Sequence, residues 1–266
     1  MTSLLLVAAA LFVQDFSWQP ATPSQGSLIV VSAPDAIAGE MAGEPLHFRS
    51  GKALAAVPLS ATDSTTLQTL SIRWDGAVVG ETASVPVELR RVEEEQVQAA
   101  ERFTPPPDSA LQVRIDGERE LLRDAARRAH AVPRLWKAAF IRPRTARITS
   151  AFGSGRQVNG VWRTRHAGLD IAGGKGAAVR ASNRGIVALV GDFFYGGISV
   201  YLHHGDGLMT VYFHLSRALV VVGDTVQRGQ IIGRVGATGR VTGPHLHWQA
   251  QYGAVPFDPT DLLKLP

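Results

Sequence analysis

The sequence contains no cysteine. Disulfides and thiolate metal sites are thereby excluded, the redox compartment stays open, and any metal must be held by histidine and carboxylate. Charge is scarce: 19% of residues are charged, with 27 Lys and Arg against 23 Asp and Glu, and the net of +4 suits an anionic polymer without requiring one. No Lys/Arg block is interleaved with aromatics, so the footprint of a nucleic-acid partner is missing. Long apolar runs are missing too, except Leu4 to Val13, which is too short to span a bilayer as a mature helix. That run has the length of a signal-peptide core, although no Lys or Arg precedes it. The expectation is an exported protein of the periplasm or cell envelope, with residues 1–16 as signal peptide and no membrane span in the mature chain.

What is present is 266 residues, 45% apolar, with 27 glycines and 15 prolines, a composition that predicts a mainly β protein of short strands. Period-two alternation at Leu70, Ile72 and Trp74 and again at Val85, Val87 and Leu89, with an Asp75-Gly76 turn between, predicts a small β-sandwich module over 27–92. It would be a spacer, a binding surface or an inhibitory cover. His47 stands alone in it and is expected to be a hydrogen-bonded structural residue. Thr104-Pro105-Pro106-Pro107 breaks any helix and stiffens the connection that follows. A helical connector is expected over 108–132, with Asp108 or Ser109 as N-cap and Leu111, Ile115, Leu122, Ala125 and Ala129 at helical spacing. Its run of Arg114, Glu118, Arg119, Glu120, Arg123, Asp124, Arg127 and Arg128 is expected to be a solvated face, and His130 to interact with the helix terminus.

From Arg147 onwards, strands are expected over 148–152, 185–190, 198–203, 209–214, 230–235 and 245–251, separated by turns such as Gly205-Asp206-Gly207, which predicts an antiparallel sheet. Three histidine stretches fall in this half: His166-Ala167-Gly168-Leu169-Asp170, Tyr212-Phe213-His214-Leu215-Ser216 and Gly243-Pro244-His245-Leu246-His247-Trp248. His245 and His247 are two apart, so on a strand they share a face about 6.6 Å apart. His166 and Asp170 would stand about 13 Å apart on a straight strand, so reaching one ion requires a bend, which Gly168 permits. His214 closes a strand and could project from the same sheet. His203 and His204 are consecutive and face opposite ways, which makes them poor ligands. Several imidazoles and one carboxylate suit hydrolysis by a metal-activated water, whereas His-Glu-x-x-His and Gly-x-Ser-x-Gly patterns are absent. The Gly233 to Gly239 stretch lacks the helix and Lys-Ser/Thr pair of a phosphate loop and is expected to be a loop between strands. Asn159-Gly160 is expected to be a turn. Phe193, Phe194, Tyr195 and Trp162 would either wall a groove or pack over the sheet edge.

On these motifs, residues from about Arg147 to Trp248 resemble the lysostaphin-like, LytM-type zinc endopeptidases of peptidoglycan. The HxxxD signature stands at His166 to Asp170, the HLS element at His214-Leu215-Ser216, and TGPHLHW at Thr242 to Trp248. Ala178, where many relatives have proline, and His203 depart from the pattern. The resemblance implies a zinc peptidase domain over 144–266 with one Zn2+ held by His166, Asp170 and His247 and a water in the fourth place. It also implies catalytic roles for His214 and His245 as general base and oxyanion donors, and peptide stems or cross-links of peptidoglycan as substrate. The alternative is a non-enzymatic wall-binding regulator of other hydrolases, a role taken by relatives that lose ligands; none is lost here.

Overall fold

The computed structural model describes residues 16–59, 66–75, 80–91, 93–104, 106–160 and 162–266. The expected signal peptide, apart from Phe16, and Gly76 of the expected turn lie outside them. Seven short strands come first: β1 (Ser17–Gln19), β2 (Leu28–Ser32), β3 (Ala36–Met41), β4 (Glu44–Pro45), β5 (Lys52–Ala56), β6 (Thr66–Trp74) and β7 (Glu81–Val87). They form two antiparallel sheets, β1-β2-β5 and β4-β3-β6-β7. The alternation read from the sequence is what builds them. Leu70, Ile72, Val85 and Val87 are buried while Ser84 and Arg73 face out, so each strand offers one apolar face to the core.

The segment that follows is more than a linker. Strand β8 (Glu94–Val97) pairs in parallel with β10 (Gly155–Val158), which pairs in turn with β11 (Trp162–Arg165). Three charged or polar residues and a single valine have no hydrophobic periodicity of their own, so β8 is stabilised by the edge of β10 that it completes. Helix α1 (Ser109–His130) begins where Asp108 accepts a hydrogen bond from Leu111 N at 2.8 Å. It is not a free connector, because Ala125, Ala126 and Ala129 share a buried cluster with Ala188, Tyr201, Met209 and Val211 of the C-terminal half. Its outer face carries the expected ion pairs, such as Arg114–Glu118 and Arg123–Glu120. Glu118, however, also accepts from Phe194 N at 3.0 Å. His130 does more than meet a helix terminus: its Nε2 lies 2.9 Å from Glu44 and its Nδ1 2.9 Å from His47 Nε2, tying α1 to the N-terminal strands.

The C-terminal half contains β9 (Ile148–Ser150), β12 (Leu169–Ala172), β13 (Ala178–Arg180), β14 (Gly185–Phe193), β15 (Gly197–Gly205), β16 (Leu208–Ala218), β17 (Thr225–Val226), β18 (Ile231–Val235), β19 (His245–Tyr252) and β20 (Val255–Phe257), then the short helix α2 (Pro259–Leu262). Its main path runs β17-β14-β15-β16-β19-β12-β9, antiparallel throughout. The N-terminal strands share one continuous core with this sheet and are tied to it by polar contacts. Arg49 makes a bidentate ion pair with Asp206 (2.5 and 2.7 Å), and Tyr252 Oη donates to Pro45 O at 2.7 Å. No helix among the described residues is long and apolar enough to cross a membrane.

Candidate metal centre

Strand pairing brings the histidine stretches together. Asp170 on β12 lies directly opposite His247 on β19, and His245 opposite Ala172, so Asp170, His245 and His247 rise from one face. His166 precedes β12 in the loop from β11, where its N–H donates to Ser154 O and its carbonyl accepts from Gly153 N. The bend at Gly168 exists, but its glycine requirement comes from close approach: a Cβ there would lie 2.6 Å from both His247 Nε2 and Trp248 O.

His214 reaches the site by a route that simple alternation does not give. Its neighbour Phe213 is the residue paired with His247, and their rings stack 5.1 Å apart. A regular strand would turn His214 to the opposite face. Instead His214 adopts φ +60 beside a register shift in β16, and its ring comes to 5.0 Å from His245 and 5.9 Å from His247. A non-glycine residue held in the left-handed region is strained, and here the strain places a functional side chain.

Three donor atoms converge: His166 Nε2, Asp170 Oδ1 and His247 Nδ1, with sides of 3.1, 2.9 and 2.9 Å. His166 Nδ1 donates to Ala151 O at 2.8 Å, which leaves its Nε2 a bare lone pair in the neutral ring. That lone pair faces a carboxylate oxygen and a second imidazole nitrogen, all at residues no more than 6% exposed. A single proton, on His247, cannot reconcile all three sides. A cation can, since tetrahedral ligands 2.0–2.2 Å from zinc stand roughly 3.3 Å apart. The buried two-nitrogen, one-oxygen set therefore fits a zinc-sized divalent ion.

Around this triangle the rings are held by backbone carbonyls. His214 Nδ1 donates to Thr238 O and His245 Nδ1 to Gly243 O, each at 2.9 Å, which leaves His214 Nε2 a bare lone pair in the neutral ring and sets His245 Nε2 beside Asp170 Oδ1. Burial, reinforced by His247 and His245, pushes the His214 pKa down to about 3, so the ring is neutral near pH 7. Burial also opposes the charged form of His245, but Asp170, whose Oδ1 is 3.5 Å from its Nε2, outweighs this and raises its pKa. The two imidazoles are thus driven apart in basicity, the pattern of an acid–base pair. Burial alone would favour protonation of Asp170; the imidazoles of His166, His245 and His247 around it outweigh this and hold it well below the usual carboxylate range.

Several partners in the site carried no motif signal. Arg156 on β10 binds Asp170 Oδ2, Ser150 Oγ and, at 3.4 Å, Glu95 of β8. Its only sequence cue is a short polar strand two residues after Ser154. Asn159 does form the expected turn with Gly160, both at positive φ, and its side chain binds Ala99 and Thr104 rather than the site. His203 and His204 stay out of the centre, His204 between Arg184 O and Thr210. Phe193 packs on Tyr201, whereas Phe194 and Tyr195 pack on Phe103; the Trp162 side chain lies outside those described. Two clefts meet at the centre. One of about 290 Å³ runs beneath α1, past Ile115 and Leu122, and one of about 650 Å³ runs past Glu95, Thr242 and His245. Both are lined by β8 or α1, and neither by residues of β1 to β7.

Residues 164–259 match the model of peptidase family M23. The DD-carboxypeptidase/endopeptidase Mpg of Neisseria meningitidis is 39% identical over 117 residues, covering 44% of this chain and 27% of that protein. The peptidoglycan DD-endopeptidase ShyA of Vibrio cholerae is 48% identical over 84 residues, 32% of this chain and 20% of that one. The matched segment thus spans little more than a quarter of these relatives at most. A putative peptidase M23 from Pseudomonas aeruginosa, solved by crystallography, superposes with a TM-score of 0.71 at 27% identity, covering 91% of this chain and 95% of the other. Its likeness extends through the N-terminal strands as well as the C-terminal sheet.

Proposed function

Because the chain carries a domain of peptidase family M23 over residues 164–259, we propose that it is an exported, zinc-dependent endopeptidase that hydrolyses peptide stems or cross-links of bacterial peptidoglycan. The observation that carries this reading is the convergence of three buried lone-pair donors beside two further imidazoles, His214 and His245, each held through Nδ1 by a backbone carbonyl. The substrate is supported by the relatives: ShyA is named a peptidoglycan DD-endopeptidase, and Mpg a DD-carboxypeptidase/endopeptidase. An exported protein of the periplasm or cell envelope is where that substrate would be met.

In this reading His166, Asp170 and His247 hold one zinc ion, which when bound polarises a scissile carbonyl and acidifies a water. His214 takes the proton at Nε2: the ring is neutral, and its Nδ1–H is fixed on Thr238 O. The same Nε2 then returns the proton to the departing amine. His245, whose proton is held more firmly, donates from Nε2 to the oxyanion of the tetrahedral intermediate. Arg156 fixes the Asp170 carboxylate by its second oxygen, and Ala151 O fixes the His166 tautomer.

The test is digestion of purified peptidoglycan by the zinc-loaded full-length protein, with new amino ends counted and muropeptides analysed by mass. Cleavage that a chelator abolishes is expected, and His214→Ala should lower the rate by about 10²- to 10⁴-fold while zinc binding persists. A fully loaded protein that releases no amino ends would overturn the reading.

A further inference from the structure

Arg240 lines both clefts at the metal centre, together with Arg156 and His214. The two arginines differ in how their charge is used. Arg156 is paired with Asp170 and Glu95. Arg240 is half-buried, its backbone N–H donates to Tyr195 O at 2.9 Å, and its guanidinium carbon stands 4.6 Å from the centroid of the Tyr195 ring. Burial is the largest influence on its pKa and lowers it; the titratable neighbours that act on it are Tyr195 and Arg156, and neither is a carboxylate. The guanidinium nonetheless stays charged. A half-buried fork of five donors, oriented by stacking and lacking an anion among the described residues, is built to receive one.

Its position is coupled to the reacting groups. Gly239 packs backbone to backbone on the turn before β15, where a Cβ would lie 2.4 Å from Gly197 N. Thr238 Oγ1 donates to Leu215 O at 2.7 Å and accepts from Ile198 N at 2.9 Å, while Thr238 O holds the His214 ring. The three consecutive residues 238–240 therefore fix His214 and the guanidinium in one frame.

We propose that Arg240 is a specificity-determining residue that binds a free carboxylate of the substrate beside the scissile bond. Peptides with an acidic side chain or a terminal α-carboxylate at that place are then preferred over neutral ones. This rests on the endopeptidase reading above. A neutral peptide would cover the half-buried guanidinium without pairing it, which is the condition under which polar recognition discriminates most strongly.

The experiment uses the zinc-loaded full-length chain and two matched pairs of peptides. One pair carries a side-chain carboxylate beside the scissile bond or its amide, and the other ends in an α-carboxylate or its amide. In one pair the acid should be cut with kcat/KM on the order of 10- to 100-fold above the amide, mainly through KM, and the pair that shows it identifies the source. Arg240→Gln should bring that ratio close to one and Arg240→Lys should retain part of it, with zinc stoichiometry and thermal midpoint confirming that both variants fold. Equal rates on acid and amide in both pairs, or a ratio that survives in both variants, would overturn the proposal. If none of the four peptides is cut, the endopeptidase reading fails instead. Calorimetric titration of the same peptides then decides the carboxylate site, with acid binding no tighter than amide rejecting it.

Discussion

At Gly168 the backbone runs so close to β19 that even a methyl group would collide with the His247 ring. Gly168→Ala must push His247 off the position opposite Asp170, and the expected result is a 10- to 100-fold loss of zinc affinity, the order seen when the support of a ligand is disturbed. Competition with a chromogenic chelator measures it, and wild-type affinity in the variant would show that the contact relaxes harmlessly. His204 makes a different prediction. Burial pushes its pKa from 6.5 down to about 4. The folded chain thus keeps it neutral at pH values where the unfolded chain is already protonated, so its contribution to stability is complete above pH 6.5 and is lost as pH falls from 6.5 towards 4. That loss is roughly 3 kcal/mol. Urea unfolding followed between about pH 7.5 and pH 4.5 should show the decline, and His204→Gln should flatten it.

At the scale of elements, the turn formed by residues 236–240 is the support of the His214 ring. Sequence alone reads Gly233 to Gly239 as a loop between strands; the structure keeps Gly233 to Val235 in β18, and nothing in the sequence marks the remainder as the part that aims His214. Thr238→Val keeps the shape and removes both hydrogen bonds of Oγ1. The carbonyl that holds His214 should shift, lowering kcat about 10- to 100-fold with zinc affinity unaltered, since small misplacements of a reacting group carry that penalty. Paired kinetic and zinc-binding measurements separate this from general damage. Strand β16 shows the same logic. Its pattern predicts a strand over 209–214 that His214 closes, whereas the strand runs on to Ala218; the left-handed residue and register shift that turn the ring inward lie within it and are backbone events with no residue-type signature, because histidine does not advertise positive φ as glycine does.

For the whole molecule, the segment between the two β regions matters more than its composition suggests. Strand β8 extends the sheet that carries Arg156, and α1 covers Ala188, Tyr201, Met209 and Val211. A chain beginning at Ala131 loses both. It should be destabilised by several kcal/mol in urea unfolding and should bind a hydrophobic dye, because a contiguous apolar face is uncovered. Unfolding indistinguishable from that of the full chain would mean that α1 contributes no packing. The N-terminal strands are linked instead through Arg49–Asp206 and the Glu44–His130–His47 chain, contacts that join residues more than 80 positions apart.

Residue type and spacing were sufficient for much of this protein. Alternation at Leu70 and Ile72 gave strands their inward face, Asp108 marked the start of α1, and His245-Leu246-His247 placed two rings on one side of a strand, because these depend on local geometry with periods of two or 3.6 residues. The five expected site residues stand out by motif, since a motif preserves residue type and order. Tertiary structure alone decided the rest: the pairing that sets Asp170 opposite His247, the collision that makes residue 168 glycine, the Arg156 clamp, the pairing of β8 with β10, and the stacking of the Arg240 guanidinium on Tyr195 with no anion beside it among the described residues. Each is a relation between segments far apart in the chain, set by strand register and close packing, and local periodicity holds no record of either.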